Sequence, residues 1–101
     1  MNIDVQNLTV KNNPAENRFE VQLGDKLGVL EYRKHGALYV LTHTEVPKEL
    51  RGKGIANRLV HEALEQIKAE NGQIVPQCPF VKTYLRRYPE YQPLVAHNAD
   101  S

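Results

Sequence analysis

Apolar and polar residues alternate along the first half of the chain in a pattern that predicts β-strands. Apolar residues occupy every second position over 18–23, and stretches rich in β-forming residues follow at 27–33 and 37–45. Short turn sequences, Gly24-Asp25 and Lys34-His35-Gly36, separate the three stretches. Three strands joined by links this short predict an antiparallel meander.

The period of the pattern changes after Gly54, which predicts a long amphipathic helix. Asn71-Gly72 is typical of a helix end, because both residues tolerate the left-handed conformation. A short strand over 73–75 would then pair parallel to the third strand through a right-handed crossover. Helical spacing resumes over 80–88. The apolar stripe of the long helix consists of Ile55, Leu59, Val60, Ala63, Leu64 and Ile67.

The expected fold is α+β: a small, mostly antiparallel sheet with a splayed parallel strand pair, one long helix and a shorter C-terminal helix. A length of 101 residues has room for one small domain. Residues 1–17 are expected to form a peripheral arm that either adds a short strand or packs irregularly. We expect 96–101 to be a frayed tail.

Composition and charge exclude several functional classes. Thirteen basic and twelve acidic residues leave a formal net charge of +1, which argues against a dedicated nucleic-acid binder. A single cysteine excludes an intramolecular disulfide. The sequence has no apolar run near the ~18 residues of a membrane span and no signal region, so we expect a cytoplasmic protein that does not enter the membrane. His61, Glu62 and Glu65 lack a second histidine, so no metal site is expected.

The strongest functional signal lies where the long helix begins. Residues 48–58 contain four basic residues and one acidic residue, a net charge of +3. A helix N-terminus presents unpaired N–H groups, and Gly52 and Gly54 would let an anion approach them closely. The spacings typical of nucleoside triphosphate and dinucleotide sites are absent. The segment is therefore either a phosphate cradle or a glycine-bearing turn with solvated charges.

Three segments together resemble the GCN5-related N-acetyltransferases. Arg51-Gly52-Lys53-Gly54-Ile55-Ala56 is similar to the R/Q-x-x-G-x-G/A signature of that family, and it lies between a strand and a long helix, as in the family. Cys78-Pro79-Phe80 follows the fourth predicted strand, and a Tyr-Pro-Glu-Tyr segment begins at Tyr88. The resemblance covers roughly 18–95 and is to the short, stand-alone members of the family.

This resemblance implies an acetyl-CoA-dependent N-acyltransferase whose acceptor is the amine of a small molecule or a peptide. A non-catalytic module that binds coenzyme A or acyl-CoA is the alternative. The exposed edges of so small a sheet leave self-association open. By position, the residues implied to bind coenzyme A are Thr44, Val46, Arg51, Gly52, Lys53, Gly54, Ile55, Ala56 and Asn57.

Acetyl transfer to an amine also needs groups that accept and donate protons. Glu45 and His43 lie two apart on the third predicted strand, so we expect them to share a face with Leu41 and Tyr39. Either could take the ammonium proton. The alternatives for Glu45 are a solvent-facing strand end or a partner for Arg51. The alternative for His43 is an ordinary sheet histidine.

Cys78 and Tyr84 complete the set of candidate catalytic residues. The Cys78 thiolate could accept the acetyl group and pass it on, or the side chain could line the acceptor site or be buried. The family often has a tyrosine near the position of Tyr84 that protonates the departing thiolate; a core aromatic is the alternative. We expect Glu45, His43 and Cys78 to converge on one cleft. The extra helices that larger relatives place between their first strands have no room at Gly24-Asp25, so we expect the acceptor side to be open.

Overall fold

A single five-stranded sheet, in the order β1-β2-β3-β4-β5, organises the structure, which is a computed structural model describing residues 4–96. Neighbouring strands are antiparallel except for β4 and β5, which are parallel. Two α-helices follow β4 and β5. Short 3-10 turns occupy Val5–Asn7, Pro14–Glu16, Lys48–Leu50 and Pro89–Leu94. The main elements are β1 (Val10–Asn13), β2 (Arg18–Leu23), β3 (Lys26–His35), β4 (Leu38–Glu45), α1 (Ile55–Ala69), β5 (Gln73–Pro76) and α2 (Pro79–Arg87).

The predicted α+β class is confirmed, with changes at both ends of the chain. The N-terminal arm contains a true edge strand, β1, paired with β2 from Val10 to Asn13. Ala96 was expected to begin the frayed tail, but it is buried and its N–H donates to the Ile74 carbonyl over 2.9 Å. The rest of the predicted tail, 97–101, lies outside the described residues. Within residues 4–96, neither helix is long and apolar enough to cross a membrane.

Helix α1 covers one face of the sheet with its apolar stripe, whose residues are all buried. Two hydrogen bonds also link α1 and its C-terminal end to strands of the sheet. Gln66 Nε2 donates to the Val10 carbonyl over 2.8 Å, and the buried Tyr39 hydroxyl donates to Glu70 over 2.8 Å. The opposite face carries exposed polar side chains, including Glu31 and Arg33. One face of the sheet is therefore the core and the other is open.

A β-bulge interrupts the pairing of β3 with β4. Tyr32 pairs with Leu41, whereas the preceding residue, Glu31, pairs with His43. Thr42 is therefore an extra residue on β4. A bulge of this kind shifts the alternation of side chains on the strand that contains it.

The bulge changes which residues of β4 face the core. Thr44 pairs with a fully buried residue of β3, so it stays on the α1 side, and His43 and Glu45 are exposed on the open face. The prediction that they share a face with Leu41 and Tyr39 is therefore wrong. Simple alternation from Tyr39 cannot anticipate an inserted residue.

The parallel pair β4 and β5 separates beyond a short paired region. Pairing ends at Leu41 and Pro76. The N–H groups of Gln77 and Cys78 both donate to the Leu41 carbonyl, over 3.0 and 2.9 Å. Beyond this point β4 continues to Glu45, while the other chain segment turns into α2. The splayed pair therefore opens at the level of Cys78.

Candidate functional site

The turn before α1 owes its shape to two glycines. Gly52 and Gly54 have φ values of +81° and +84°, in the left-handed region that favours glycine. Gly54 is the N-cap of α1, and no side chain caps the helix. A Cβ atom at either glycine would have no neighbour within 4 Å. The backbone here is consequently open to a ligand.

The main-chain N–H groups of this turn are available as donors. The first helical bond runs from Arg58 N to the Gly54 carbonyl, over 3.1 Å. Within residues 4–96, no N–H group from Gly52 to Asn57 donates a hydrogen bond of standard geometry to the protein. Such a run of free donors at a helix N-terminus binds anions, because the helix dipole adds partial positive charge.

A cavity of about 430 Å³, the first cavity, lies in front of these donors. Every residue that the sequence implies for coenzyme A, apart from Lys53, lines it. Leu50 and Phe80 also line it and were missed. Phe80 belongs to the Cys-Pro-Phe segment and remains 36% exposed, so that segment was the available signal. Leu50 is buried by the 3-10 turn after Pro47, and nothing in its local sequence points to a ligand.

A second cavity of about 470 Å³ adjoins the first, and Gly54 and Asn57 line both. Lys53 lies here, together with Arg58 and His61 on α1. Among the predicted cofactor residues, Lys53 lines the second cavity alone, whereas Gly54 and Asn57 line both. The first turn of α1 therefore borders two adjacent cavities, each of which reaches the free N–H groups.

Arg51 fastens the turn to the end of β4. Its Nε donates to the Val46 carbonyl over 3.2 Å, and its Nη2 lies 3.3 Å from Glu45 Oε2. His43 Nε2 contacts the other oxygen of Glu45 at 2.9 Å. The His43 hydrogen bond, aided by the Arg51 charge, holds the pKa of Glu45 below its usual value. Glu45 is therefore a partner for Arg51, the alternative left open above, and a weak base.

Cys78 meets Thr44 where the two parallel strands part. The Cys78 side chain is only 3% exposed, and its Sγ lies 3.2 Å from Thr44 Oγ1. Thr44 also lines the first cavity. The predicted convergence of Glu45, His43 and Cys78 is wrong, because the bulge turns the first two away. The Cys78 thiol lies next to the Thr44 hydroxyl instead.

Tyr84, the candidate acid, lies on α2 and lines the second cavity. Burial raises the pKa of Tyr84 to about 12, so its phenol keeps its proton at neutral pH. Its hydroxyl lies 3.4 Å from His61 Nδ1. Among residues 4–96, no group of three or more His, Cys, Asp or Glu side chains is placed to hold a metal ion.

Comparison with known proteins shows which family the chain belongs to. The family model of GCN5-related N-acetyl-transferases matches residues 18–94. The chain belongs to this family. It is 32% identical over 85 residues to protein NATD1 of Mus musculus, an alignment that covers 81% of this chain and 77% of the relative. Protein NATD1 of Homo sapiens is equally similar over 85 residues, with 75% of its length covered.

A solved structure agrees with the family assignment. The NMR structure of a GCN5-like protein from Staphylococcus aureus has a TM-score of 0.67 and 28% sequence identity, and 89% of each chain is covered. The family resemblance drawn from the sequence is confirmed, and the fold is that of the GCN5-related N-acetyltransferases. These relatives support N-acetyltransferase as the enzyme class of this protein.

Proposed function

We propose that this protein transfers the acetyl group of acetyl-CoA to the amine of a small molecule or a peptide. One observation carries the proposal: the N–H groups from Gly52 to Asn57 are free and face a cavity of about 430 Å³. A diphosphate is the part of coenzyme A that such a row of donors recognises. The cytoplasmic location stays a prediction.

The walls of the first cavity fit the rest of the cofactor. Val46, Leu50, Ile55 and Phe80 give it an apolar lining suited to the uncharged pantetheine arm. The arm would run from the free N–H groups along the end of β4 towards Thr44. This direction brings the thioester to the point where β4 and β5 part, beside Cys78.

Two routes for the acetyl group follow from the residues there. In direct transfer, the acceptor nitrogen attacks the thioester carbonyl, the C–S bond breaks, and Tyr84 protonates the departing thiolate. The proton that the nitrogen loses on becoming an amide returns to Tyr84 through solvent. In the covalent route, the Cys78 sulfur first takes the acetyl group, and its proton goes to the coenzyme A thiolate. The amine then attacks the new thioester, the bond from Cys78 sulfur to the acyl carbon breaks, and the proton lost by the nitrogen returns to that sulfur. In both routes Glu45, itself in contact with His43, holds Arg51, and the acceptor reaches the opening from the exposed face of the sheet.

A non-catalytic module that binds coenzyme A is the second candidate. The observation in its favour is that Glu45 is engaged by Arg51 and that, among residues 4–96, no carboxylate lines the first cavity. An acceptor amine would then have to arrive already neutral. The two candidates share the binding site and differ only in turnover.

Titration of the protein with coenzyme A tests the binding site. Wild type should bind, and Gly54→Trp should lose binding because the indole covers the free N–H groups. Gly36→Trp is the matched control, since Gly36 has φ +61° and likewise no neighbour within 4 Å of a Cβ, but lies in the β3–β4 turn. No binding to folded wild type at millimolar coenzyme A, or unchanged affinity in Gly54→Trp, would contradict the proposal.

Incubation with labelled acetyl-CoA and a pool of amines separates the enzyme from the binding module. Amide formation above background supports the enzyme, and binding without any product supports the module. Intact-mass analysis then decides between the routes. An added acetyl group in wild type that is absent in Cys78→Ala indicates the covalent route, whereas full turnover by Cys78→Ala indicates direct transfer.

A further inference from the structure

The second cavity meets the first at the free N–H groups but has a different lining. Gly54 and Asn57 line both cavities, so the two meet at the first turn of α1. The side chains around the second cavity include two permanent cations, Lys53 and Arg58, and one carboxylate, that of Glu90. The first cavity has an apolar lining instead. The second cavity is therefore the better place for a ligand group that carries negative charge.

Coenzyme A has chemical groups on both sides of its diphosphate. The pantetheine arm is uncharged, whereas the ribose on the other side carries a 3′-phosphate, a monoester with about two negative charges at neutral pH. This inference rests on the proposed function, in which the diphosphate lies at the free N–H groups and the arm fills the first cavity. The ribose and its 3′-phosphate then lie next to the second cavity, since it borders the same N–H groups.

Arg58 has unused hydrogen-bond donors at the second cavity. Its Nη1 lies 3.3 Å from Glu62 Oε2, and its side chain is 22% exposed. Its Nε is buried and, of all such side-chain nitrogens and oxygens in residues 4–96, is the only one without a hydrogen-bond partner. A buried donor without an acceptor costs free energy, which a ligand oxygen would recover. Because Glu62 contacts Nη1, the edge formed by Nε and Nη2 remains, and its two parallel N–H groups match two phosphate oxygens.

We propose that Arg58 binds the 3′-phosphate of coenzyme A through Nε and Nη2, and that this contact makes the protein prefer coenzyme A to 3′-dephospho-coenzyme A. The guanidinium must turn slightly towards the cavity for an oxygen to reach the buried Nε, and Glu62 contacts only Nη1. The Lys53 side chain is exposed, so it adds little. A hydrogen bond from a partly buried guanidinium to a charged oxygen changes affinity by about tenfold or more.

Titration with two ligands that differ only in this phosphate tests the proposal. Wild type should bind coenzyme A about tenfold more tightly than 3′-dephospho-coenzyme A. Arg58→Gln should lose this preference, because its affinity for coenzyme A should fall about tenfold while its affinity for 3′-dephospho-coenzyme A stays unchanged. Equal affinities in wild type, or equal losses for both ligands in Arg58→Gln, would overturn the proposal.

Two further variants separate the paired contact from charge and from folding. Arg33→Gln removes the same charge from an exposed position on the open face of the sheet and should keep the full preference. Arg58→Lys keeps the positive charge but loses the paired N–H groups, so its preference should lie between those of wild type and Arg58→Gln. A full preference in Arg58→Lys would overturn the paired contact. Thermal unfolding shows whether each variant is folded.

A spectroscopic test follows Arg58 in the wild-type protein. With 15N-labelled arginine, the Arg58 Nε–H signal is identified by its loss in Arg58→Lys. In wild type this signal should shift when coenzyme A is added and should stay in place with 3′-dephospho-coenzyme A. Arg18, whose Nε donates to Glu20 over 2.7 Å, is the internal reference and should respond to neither ligand. An Arg58 signal that responds equally to both ligands, or to neither, would overturn the proposal.

The two proposals fail in different ways. No binding of coenzyme A to folded wild type would overturn the proposed function and this inference with it. Binding of coenzyme A that Gly54→Trp abolishes, without any preference over 3′-dephospho-coenzyme A, would leave the proposed function standing and overturn the role of Arg58 alone.

Discussion

Removing the cationic side chains of the turn tests whether main-chain N–H groups dominate coenzyme A binding. Arg51→Gln and Lys53→Gln each delete one positive charge beside the free donors. The Arg51 side chain is 60% exposed and already engaged by Val46 and Glu45, and Lys53 lines only the second cavity. The Arg51 charge is therefore already paired with Glu45, and the Lys53 charge lies outside the first cavity.

The expected loss of affinity is small. Exposed ion pairs contribute about 0.2–1 kcal/mol. With about 1.4 kcal/mol for each factor of ten, either substitution should weaken binding by no more than about fivefold. A hydrogen bond from one N–H group to a charged oxygen contributes about 1.5–3 kcal/mol, and a diphosphate can accept several from the turn.

Calorimetric titration with coenzyme A at low and high salt measures the effect. Lys11→Gln is the matched control, because it removes the same charge from an exposed position on β1. Its affinity should equal that of wild type. A loss above tenfold in Arg51→Gln or Lys53→Gln, with unchanged thermal stability, would show that side-chain charge dominates and would refute the reasoning.

Three further predictions concern stability. Leu64→Ala, at a fully buried position of α1, should lower the free energy of unfolding by about 2–5 kcal/mol in urea titrations; a loss below 1 kcal/mol would contradict this. Gly54→Ala should lower the free energy of unfolding by about 1–2 kcal/mol because of the φ of +84° at this position, although its Cβ meets no protein atom; an unchanged free energy of unfolding in urea titrations would contradict this. Hydrogen bonds lower the pKa of Glu20, chiefly through Arg18, and the pKa of Glu45, chiefly through His43. The stability that these two carboxylates contribute is therefore present above pH 4.5 and is lost as the pH falls through their folded pKa values. A urea midpoint that stays constant below pH 4.5 would contradict this prediction.

Most of the fold could be predicted because its signals are local. The apolar stripe that begins at Ile55 and the alternation over 18–23 each reflect packing of one element against the core. Strand β1 gives no such signal. Only Val10 of its four residues is buried, and its other residues are lysine and asparagines. It forms because β2 offers a hydrogen-bonding edge, which is a property of the folded sheet.

Part of the candidate site could likewise be predicted from local sequence, and part could not. Gly52 and Gly54 alone are enough to predict an open turn, because few other residues adopt their positive φ. The surroundings of Cys78 depend instead on how two distant segments meet. Thr44 reaches the thiol only because Thr42 is inserted on β4, and Phe80 reaches the first cavity only because α2 starts where the parallel strands part. Neither fact is encoded next to the residues concerned.

Because of the bulge at Thr42, the two faces at the end of β4 make different contacts. On the core side, Thr44 lines the first cavity and contacts the Cys78 thiol. On the open side, Glu45 holds Arg51, whose Nε in turn grips the Val46 carbonyl. Without the inserted residue, the carboxylate would lie on the core side of β4, near the first cavity, and would oppose the binding of the diphosphate-bearing ligand proposed above. Placing the carboxylate outside keeps the cavity free of negative charge while the turn stays fastened to the sheet.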